Sequence, residues 1–461
     1  MTQQRTVSPV DDRILVERTL AEDRAIDAAL ERAARAAAGW RETPVERRIE
    51  IIGRAIDGMV ALRDELAAEI TWQMGRPITQ SPGEIRGLEE RARYMLAIAP
   101  HALADRHPEP KPGFTRFVRH EPVGLVFVIA PWNYPYLTAV NSIVPALAAG
   151  NTVLLKHSAQ TPLCAERFQQ AFDAAGLPVG VFQHLHMSHE DALRIASSGA
   201  AQLVAFTGSV PGGRAVQHAA GHAFVATNLE LGGKDPAYVR ADADLAHAVE
   251  NLVDGACFNS GQSCCGIERI YVHESRFDAF VAGYADLAAK YVLGDPTDAG
   301  TNLGPMVRAS AADFARSQVR DAVAQGAQAL ISPKPFVREA EESAYMAPQC
   351  LVGVNHQMRV MREESFAPIV GIMPVSSDDE AIALMNDSDF GLTASVWTSD
   401  AAAAETIGQK VATGTFFMNR CDYLDPALAW VGIKDSGRGC ALSEEAYAHL
   451  TRPKSFHLRT T

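Results

Sequence analysis

The chain alternates apolar strand-like runs with helix-length segments, and then does so a second time. That rhythm limits its folds more than any other feature. In the first block, runs at 123–130, 151–156, 181–186, 202–206 and 223–230 read as strands, with a helix over 162–175 and helical stretches between the others. Apolar strands separated by helices predict a parallel sheet covered on both faces. Gly232-Gly233 reads as a hinge. Beyond it come a helix at 244–257, a strand at 269–273, a helix at 276–291, strands at 326–331, 369–375 and 414–418, and helices at 378–385 and 401–409. Ahead of the first block, amphipathic helices are expected over 21–40, 45–70 and 83–99, the last ending at Pro100, and a strand over 115–119. At 461 residues the chain exceeds one hydrophobic core, so two domains with a ligand cleft between them are expected.

Charge and cysteine usage narrow the function classes. Lys and Arg number 42 against 55 Asp and Glu, a net charge of −13, which argues against nucleic-acid binding. No apolar run approaches the ~20 residues of a membrane-spanning helix, and the N-terminal stretch has no secretory pattern. The seven cysteines are scattered, with no C-x-x-C pair, and no H-E-x-x-H occurs. We therefore expect reduced thiols in a cytoplasmic protein, without a metal site.

Cys264 follows the turn Asn259-Ser260-Gly261-Gln262-Ser263. An ordinary thiol titrates near 8.5, so a helix N-terminus or a cation is needed to make much thiolate at neutrality. Cys265 is equally placed by spacing alone. Glu230 ends an apolar run before two glycines, where partial burial suits a general base. Asn133, within Pro131-Trp132-Asn133-Tyr134-Pro135, offers an amide to an oxyanion, or merely makes a turn before Pro135. Lys156 closes a strand at the end where ligands bind in parallel sheets. The segment 206–213 is a Gly-rich strand-to-helix turn suited to a pyrophosphate, though it is not G-x-G-x-x-G.

Taken together these segments resemble the aldehyde dehydrogenase superfamily over nearly the whole chain. PWNYP at 131–135, PALAAGNTVLLK at 145–156, FTGS at 206–209, LELGGKDP at 229–236, NSGQSC at 259–264, EESFAP at 363–368 and GIKDSGRG at 432–439 occur in the family's order. The resemblance implies two Rossmann-like parallel-sheet domains, one for cofactor (1–103 and 123–232) and one catalytic (233–434). It also implies a small oligomerisation β-hairpin element, 104–122 with 435–461, and hence a homodimer or homotetramer. It makes Cys264 the nucleophile, Glu230 the base that activates water, and Asn133 the oxyanion donor beside the Cys264 N–H. The implied cofactor, NAD or NADP, would meet Lys156 at the adenosine ribose and Gly208, Ser209 and Gly213 at the pyrophosphate. Glu364 would hold the nicotinamide ribose and Phe366 would pack near the nicotinamide ring, with Trp132, Leu231 and Gly232 also among the cofactor-binding residues.

Two departures from the family pattern bear on specificity. Many members carry a glutamate where Ala159 stands; its loss removes a repulsion that a 2′-phosphate would meet, so NADP should be accepted as well as NAD. The implied substrate tunnel is lined by Tyr134, Leu137, Phe258 and Trp430. Members acting on succinate semialdehyde carry arginines at positions that resemble Asn141 and Phe258, so an apolar or aromatic aldehyde is expected. The alternatives are a semialdehyde dehydrogenase, which the Lys156-His157 pairing favours, and a relative that transfers the acyl group to coenzyme A. Retention of Asn133, Glu230 and Cys264 argues against a non-catalytic homologue.

Overall fold

In the computed structural model, which describes residues 2–460, the two blocks form two separate sheets. The six-stranded sheet runs in the order Gly437–Arg438, Ala226–Glu230, Leu203–Thr207, Leu125–Ile129, Thr152–Lys156, Phe182–His184. All neighbours are parallel except the short Gly437–Arg438 strand at the edge. The strands Leu125–Ile129 and Thr152–Lys156 are buried at every residue, which is why they read as unbroken apolar runs rather than alternating ones. The chain leaves Leu125–Ile129 toward one edge and returns with Leu203–Thr207 on its other side. Right-handed crossovers therefore place the following helices on opposite faces, and a crevice opens over the carboxyl ends of these two strands. Asn133 follows the first strand and Gly208 the second.

The seven-stranded sheet has the order Gln328–Ala329, Gln349–Val352, Ile369–Val375, Ile267–His273, Asp235–Val239, Thr393–Trp397, Thr415–Met418, and is parallel but for its first pair. Helix Leu245–Cys257 packs on it and delivers the chain into the Cys264 turn. A third, two-stranded sheet pairs Phe114–Pro122 with Thr451–Arg459 over nine residues, with the Phe117 and Phe456 rings stacked at 4.4 Å.

Several expectations need correction. The 45–70 helix is two helices, Val45–Ala61 and Arg63–Met74, because Leu62 leaves helical geometry and its N–H closes a tighter turn on Met59. Helix Pro82–Ala102 runs past Pro100, since the lost N–H falls in its last turn, where Leu103 still bonds to Ala99 at 3.0 Å. The strand expected over 326–331 is only Gln328–Ala329; beyond it the Gln349 side chain bonds both the N–H and the C=O of Ile331 at 2.8 Å, standing in for a strand partner. The hairpin Gln3–Val7 with Ile14–Thr19, the helix Ala309–Ala324 and the strands Asp235–Val239, Gln349–Val352 and Thr393–Trp397 were not anticipated. Residues 437–438, grouped above with the oligomerisation element, belong to the six-stranded sheet, and helix Ser443–His449 packs on Pro82–Ala102.

Candidate active site

The turn ahead of Cys264 is built from unusual backbone. Asn259 and Ser260 take left-handed φ of 53° and 57°, and Gly261 follows at 70°. A side chain at Gly261 would run into the Ala367 backbone, its Cβ 2.2 Å from the carbonyl carbon, so glycine is required there by space as well as by φ. Gly233 is required for another reason: a Cβ would lie 2.1 Å from the Cys264 carbonyl oxygen. Gly233 is thus the point where the chain after Glu230 passes against the Cys264 turn. The Gln262 side chain ties the turn down by accepting from Val307 N at 2.7 Å and donating to Asn259 O at 3.1 Å.

Cys264 is half-buried and opens on a cavity of about 400 Å³. Glu230, Tyr134, Leu137, Phe258 and Trp430 line the same cavity, as does Cys265. The Cys265 thiol and burial hold the Cys264 thiol well above its ordinary range, with Asp235 and Glu230 adding to the effect. Burial raises Glu230 to about 7, against the opposing pull of Arg91 and a 3.3 Å hydrogen bond from the Thr207 hydroxyl. Asn133 is 6% exposed and is not itself among the residues that line the cavity. Its Nδ2 donates to Gln262 O at 3.2 Å, leaving a second amide hydrogen. Among the described residues no acceptor meets the Cys264 N–H.

One buried cluster positions this site, and sequence reading missed it. The Arg76 guanidinium is 1% exposed and engages all three nitrogens: Nε on the Asn259 side chain at 3.1 Å, Nη1 on Glu84, and Nη2 on the Asn133 carbonyl. The other Glu84 oxygen accepts from Tyr136 N and Leu137 N, both at 2.9 Å, at the start of helix Pro135–Ala148. One ion pair therefore fixes the backbone that carries Asn133 and the turn that carries Cys264. In the sequence, Met74-Gly75-Arg76-Pro77 reads as a helix stop, and the lone arginine within it is the sole signal of this cluster. The cavity wall also departs from the expected apolar lining. Arg91 and Asn141 form part of it, Arg91 reaching in from helix Pro82–Ala102.

The predicted cofactor residues gather over the carboxyl ends of the six-stranded sheet. Lys156 ends its strand, is buried without a hydrogen-bond partner among the described residues, and is lowered by that burial. Ser209 caps helix Val210–Gly221, accepting from Gly212 N at 3.3 Å, with Gly208 before it and Gly213 buried against Leu231. Glu364 accepts from Gly233 N at 2.9 Å and closes over Gly232; burial and nearby Glu268 raise it to about 8. Glu268 is ion-paired to Lys234 and accepts from the backbone N–H of Ser365 and Phe366, which sets the Glu364–Phe366 turn. Trp132 and Phe366 meet edge to face at 5.7 Å. A helix N-terminus with free N–H groups, an unpaired lysine and a carboxylate suited to ribose hydroxyls fit a dinucleotide. Among the described residues no group of three or more His, Cys, Asp or Glu is placed to hold a metal ion.

Comparison with known proteins agrees with this geometry. The model of the aldehyde dehydrogenase family matches residues 1–456. The chain is 37% identical to an aldehyde dehydrogenase of Paenarthrobacter nicotinovorans, over 89% of this chain and 91% of that one. It is 34% identical to a succinate-semialdehyde dehydrogenase (NADP+) of Deinococcus radiodurans, over 97% and 93%. Among solved structures it superposes on succinic semialdehyde dehydrogenase from Streptococcus pyogenes in complex with NADP+ with a TM-score of 0.94, at 27% identity, covering 99% of this chain and 100% of that one.

Proposed function

Because the chain belongs to the aldehyde dehydrogenase family, we propose that it oxidises an aldehyde to a carboxylic acid with NAD+ or NADP+ through a thioester on Cys264. The observation that carries this reading is the opening of Cys264 and Glu230 on one cavity, backed by the fixed Asn133 amide. Glu230, near half-ionised at neutrality, takes the proton of the Cys264 thiol, and the sulfur adds to the aldehyde carbon. The oxyanion accepts from the Cys264 N–H and the second Asn133 amide hydrogen, each worth roughly 3–4 kcal/mol in comparable sites. NAD+ or NADP+, held by the residues named below, would supply the acceptor for the hydride that leaves this carbon. Glu230, once it has released the thiol proton to solvent, draws a proton from water; the hydroxide adds to the thioester carbonyl, the C–S bond breaks with the proton returning to the sulfur, and the acid leaves.

Lys156 would hold the adenosine ribose, the Gly208–Ser209 turn and Gly213 the pyrophosphate, and Glu364 the nicotinamide ribose, with Trp132, Leu231, Gly232 and Phe366 about the nicotinamide. Ala159 presents no carboxylate to a 2′-phosphate, which supports use of both cofactors. We assign residues 1–103 and 123–232 to cofactor binding and 233–434 to catalysis. The Phe114–Pro122 and Thr451–Arg459 strands are assigned to dimer or tetramer formation. Seven free cysteines support a reducing, cytoplasmic setting, and no described helix is long and apolar enough to cross a membrane. The test is NADH or NADPH production from a panel of aliphatic, aromatic and acidic aldehydes, with and without coenzyme A. Free acid and reduced cofactor are expected. Acyl-CoA as the product, or ester hydrolysis as the sole activity, would overturn the proposal.

A further inference from the structure

We infer that Arg91, seated beside Asn141 in the wall of the Cys264 cavity, anchors a carboxylate on the substrate, and that the preferred aldehydes are semialdehydes of short dicarboxylic acids. The inference rests on the aldehyde-oxidising reading of the cavity.

Its basis is an unused guanidinium. Arg91 is 9% exposed, yet only Nη1 is engaged, on the Leu137 carbonyl at 3.0 Å and the Asn141 side-chain oxygen at 3.4 Å. Nε and Nη2 have no acceptor, and Arg91 forms no ion pair, among the described residues. Of the four other buried arginines, Arg48 also lacks a side-chain partner among the described residues but stands outside this cavity, and the remaining three differ. Arg76 engages all three nitrogens, and so does Arg269, on the Lys234, Leu384 and Met385 carbonyls and the Tyr271 hydroxyl. Arg316 does the same on Glu339, Asp313 and the Ser343 and Tyr345 carbonyls.

A second orphan lies alongside. Asn141 is 2% exposed, and its Nδ2 is buried with no acceptor. Because its oxygen already accepts from Arg91, this amide orientation leaves the donor free. Two unpaired guanidinium nitrogens and, buried beside them, one unpaired amide thus stand at this wall, all donors. A carboxylate is acceptor-only and matches the guanidinium fork. A hydrocarbon would leave these donors unmet, and a neutral hydroxyl, with a single oxygen, would not match the guanidinium fork.

Anionic groups in the same cavity do not cancel this. Glu84 is committed to Arg76 and to the helix N-terminus. Glu90 and Asp254 are exposed, and Glu90 accepts from the Tyr423 hydroxyl at 2.6 Å. Burial and Asp254 hold Asp422 at about 7, so it is not a full anion at neutrality. Glu230 also feels Arg91, which sets up the rival role: a counter-charge for the base rather than a seat for substrate.

The test compares succinate semialdehyde with butanal on the full-length enzyme with saturating cofactor. The wild type is expected to favour the carboxylated aldehyde in kcat/KM, with glutarate competing against it. Arg91→Gln should shrink that preference by roughly 30- to 100-fold, chiefly through KM. Arg91→Lys should restore part of the preference, and Asn141→Leu should weaken it less. Equal losses for both aldehydes with a displaced pH profile would overturn the inference and assign Arg91 to Glu230. Should Arg91→Gln not fold, wild-type preference and glutarate competition decide. Oxidation of butanal with no preference overturns this inference alone, whereas no cofactor reduction from either aldehyde overturns the parent reading.

Discussion

Arg76 and Arg91 both line the Cys264 cavity, one from the stop ahead of helix Pro82–Ala102 and one from within it, and their guanidiniums are treated in opposite ways. Arg76 is saturated by Glu84, Asn133 and Asn259. Arg91 meets only neutral oxygens, through one nitrogen. A saturated buried cation holds backbone in place, and removing it strands its partner charge. An unsaturated one facing a cavity is available to a ligand. On the Arg76 side, substitutions should therefore cost stability; on the open side, where Cys264, Glu230 and Arg91 face the cavity, they should cost activity.

The largest effect is expected on the open side. Cys264→Ser should lower cofactor reduction by about 10⁴-fold or more with the unfolding midpoint nearly unchanged, whereas Cys265→Ser should keep turnover; the reverse result would move the nucleophile one residue along. On the closed side, Arg76→Met leaves Glu84 buried and unpaired and should cost about 3–5 kcal/mol in denaturant unfolding. If Arg91→Gln lost as much, the contrast between the two arginines would be gone. Glu230→Gln should give a burst of reduced cofactor followed by a steady state about 10²–10⁴ slower; an undiminished steady state would take Glu230 out of hydrolysis. The smallest effect is with pH. With Glu230 as the proposed base, active when ionised and standing at about 7, hydrolysis-limited turnover should rise with pH through that value and level off above it. A flat profile across it would place the controlling group elsewhere.

The two sides also differ in how far they could be read from the chain. Leu125–Ile129, and Ile369–Val375 over its first four residues, were legible because burial on both faces makes them unbroken apolar runs. Asp235–Val239 and Thr393–Trp397 are just as buried but carry Asp235 and Thr393, whose polar atoms are satisfied only by each other, at 3.2 Å for the backbone contact. Without that partner, each stretch reads as polar loop. Cys264, Glu230 and Asn133 stood in recognisable segments. Residue spacing alone left Cys264 and Cys265 level; the fold separates them, with Cys265 buried and Cys264 half-exposed. The apolar tunnel was half legible: Tyr134, Leu137, Phe258 and Trp430 line the cavity, while Arg91 entered unannounced.

What the sequence by itself determined is the repertoire: two α/β blocks joined at Gly232-Gly233, a thiol, a carboxylate and an amide in family order, and a Gly-rich turn for a dinucleotide. These follow from local rules, hydrophobic period and turn chemistry, that act over a few residues. Only the tertiary structure decided which charges are spent and which are kept. Arg76 meets Asn133 and Asn259 across 57 and 183 residues, and Arg91 meets Asn141 across 50. Hydrogen-bond saturation is set by neighbours in space, and no local pattern encodes it.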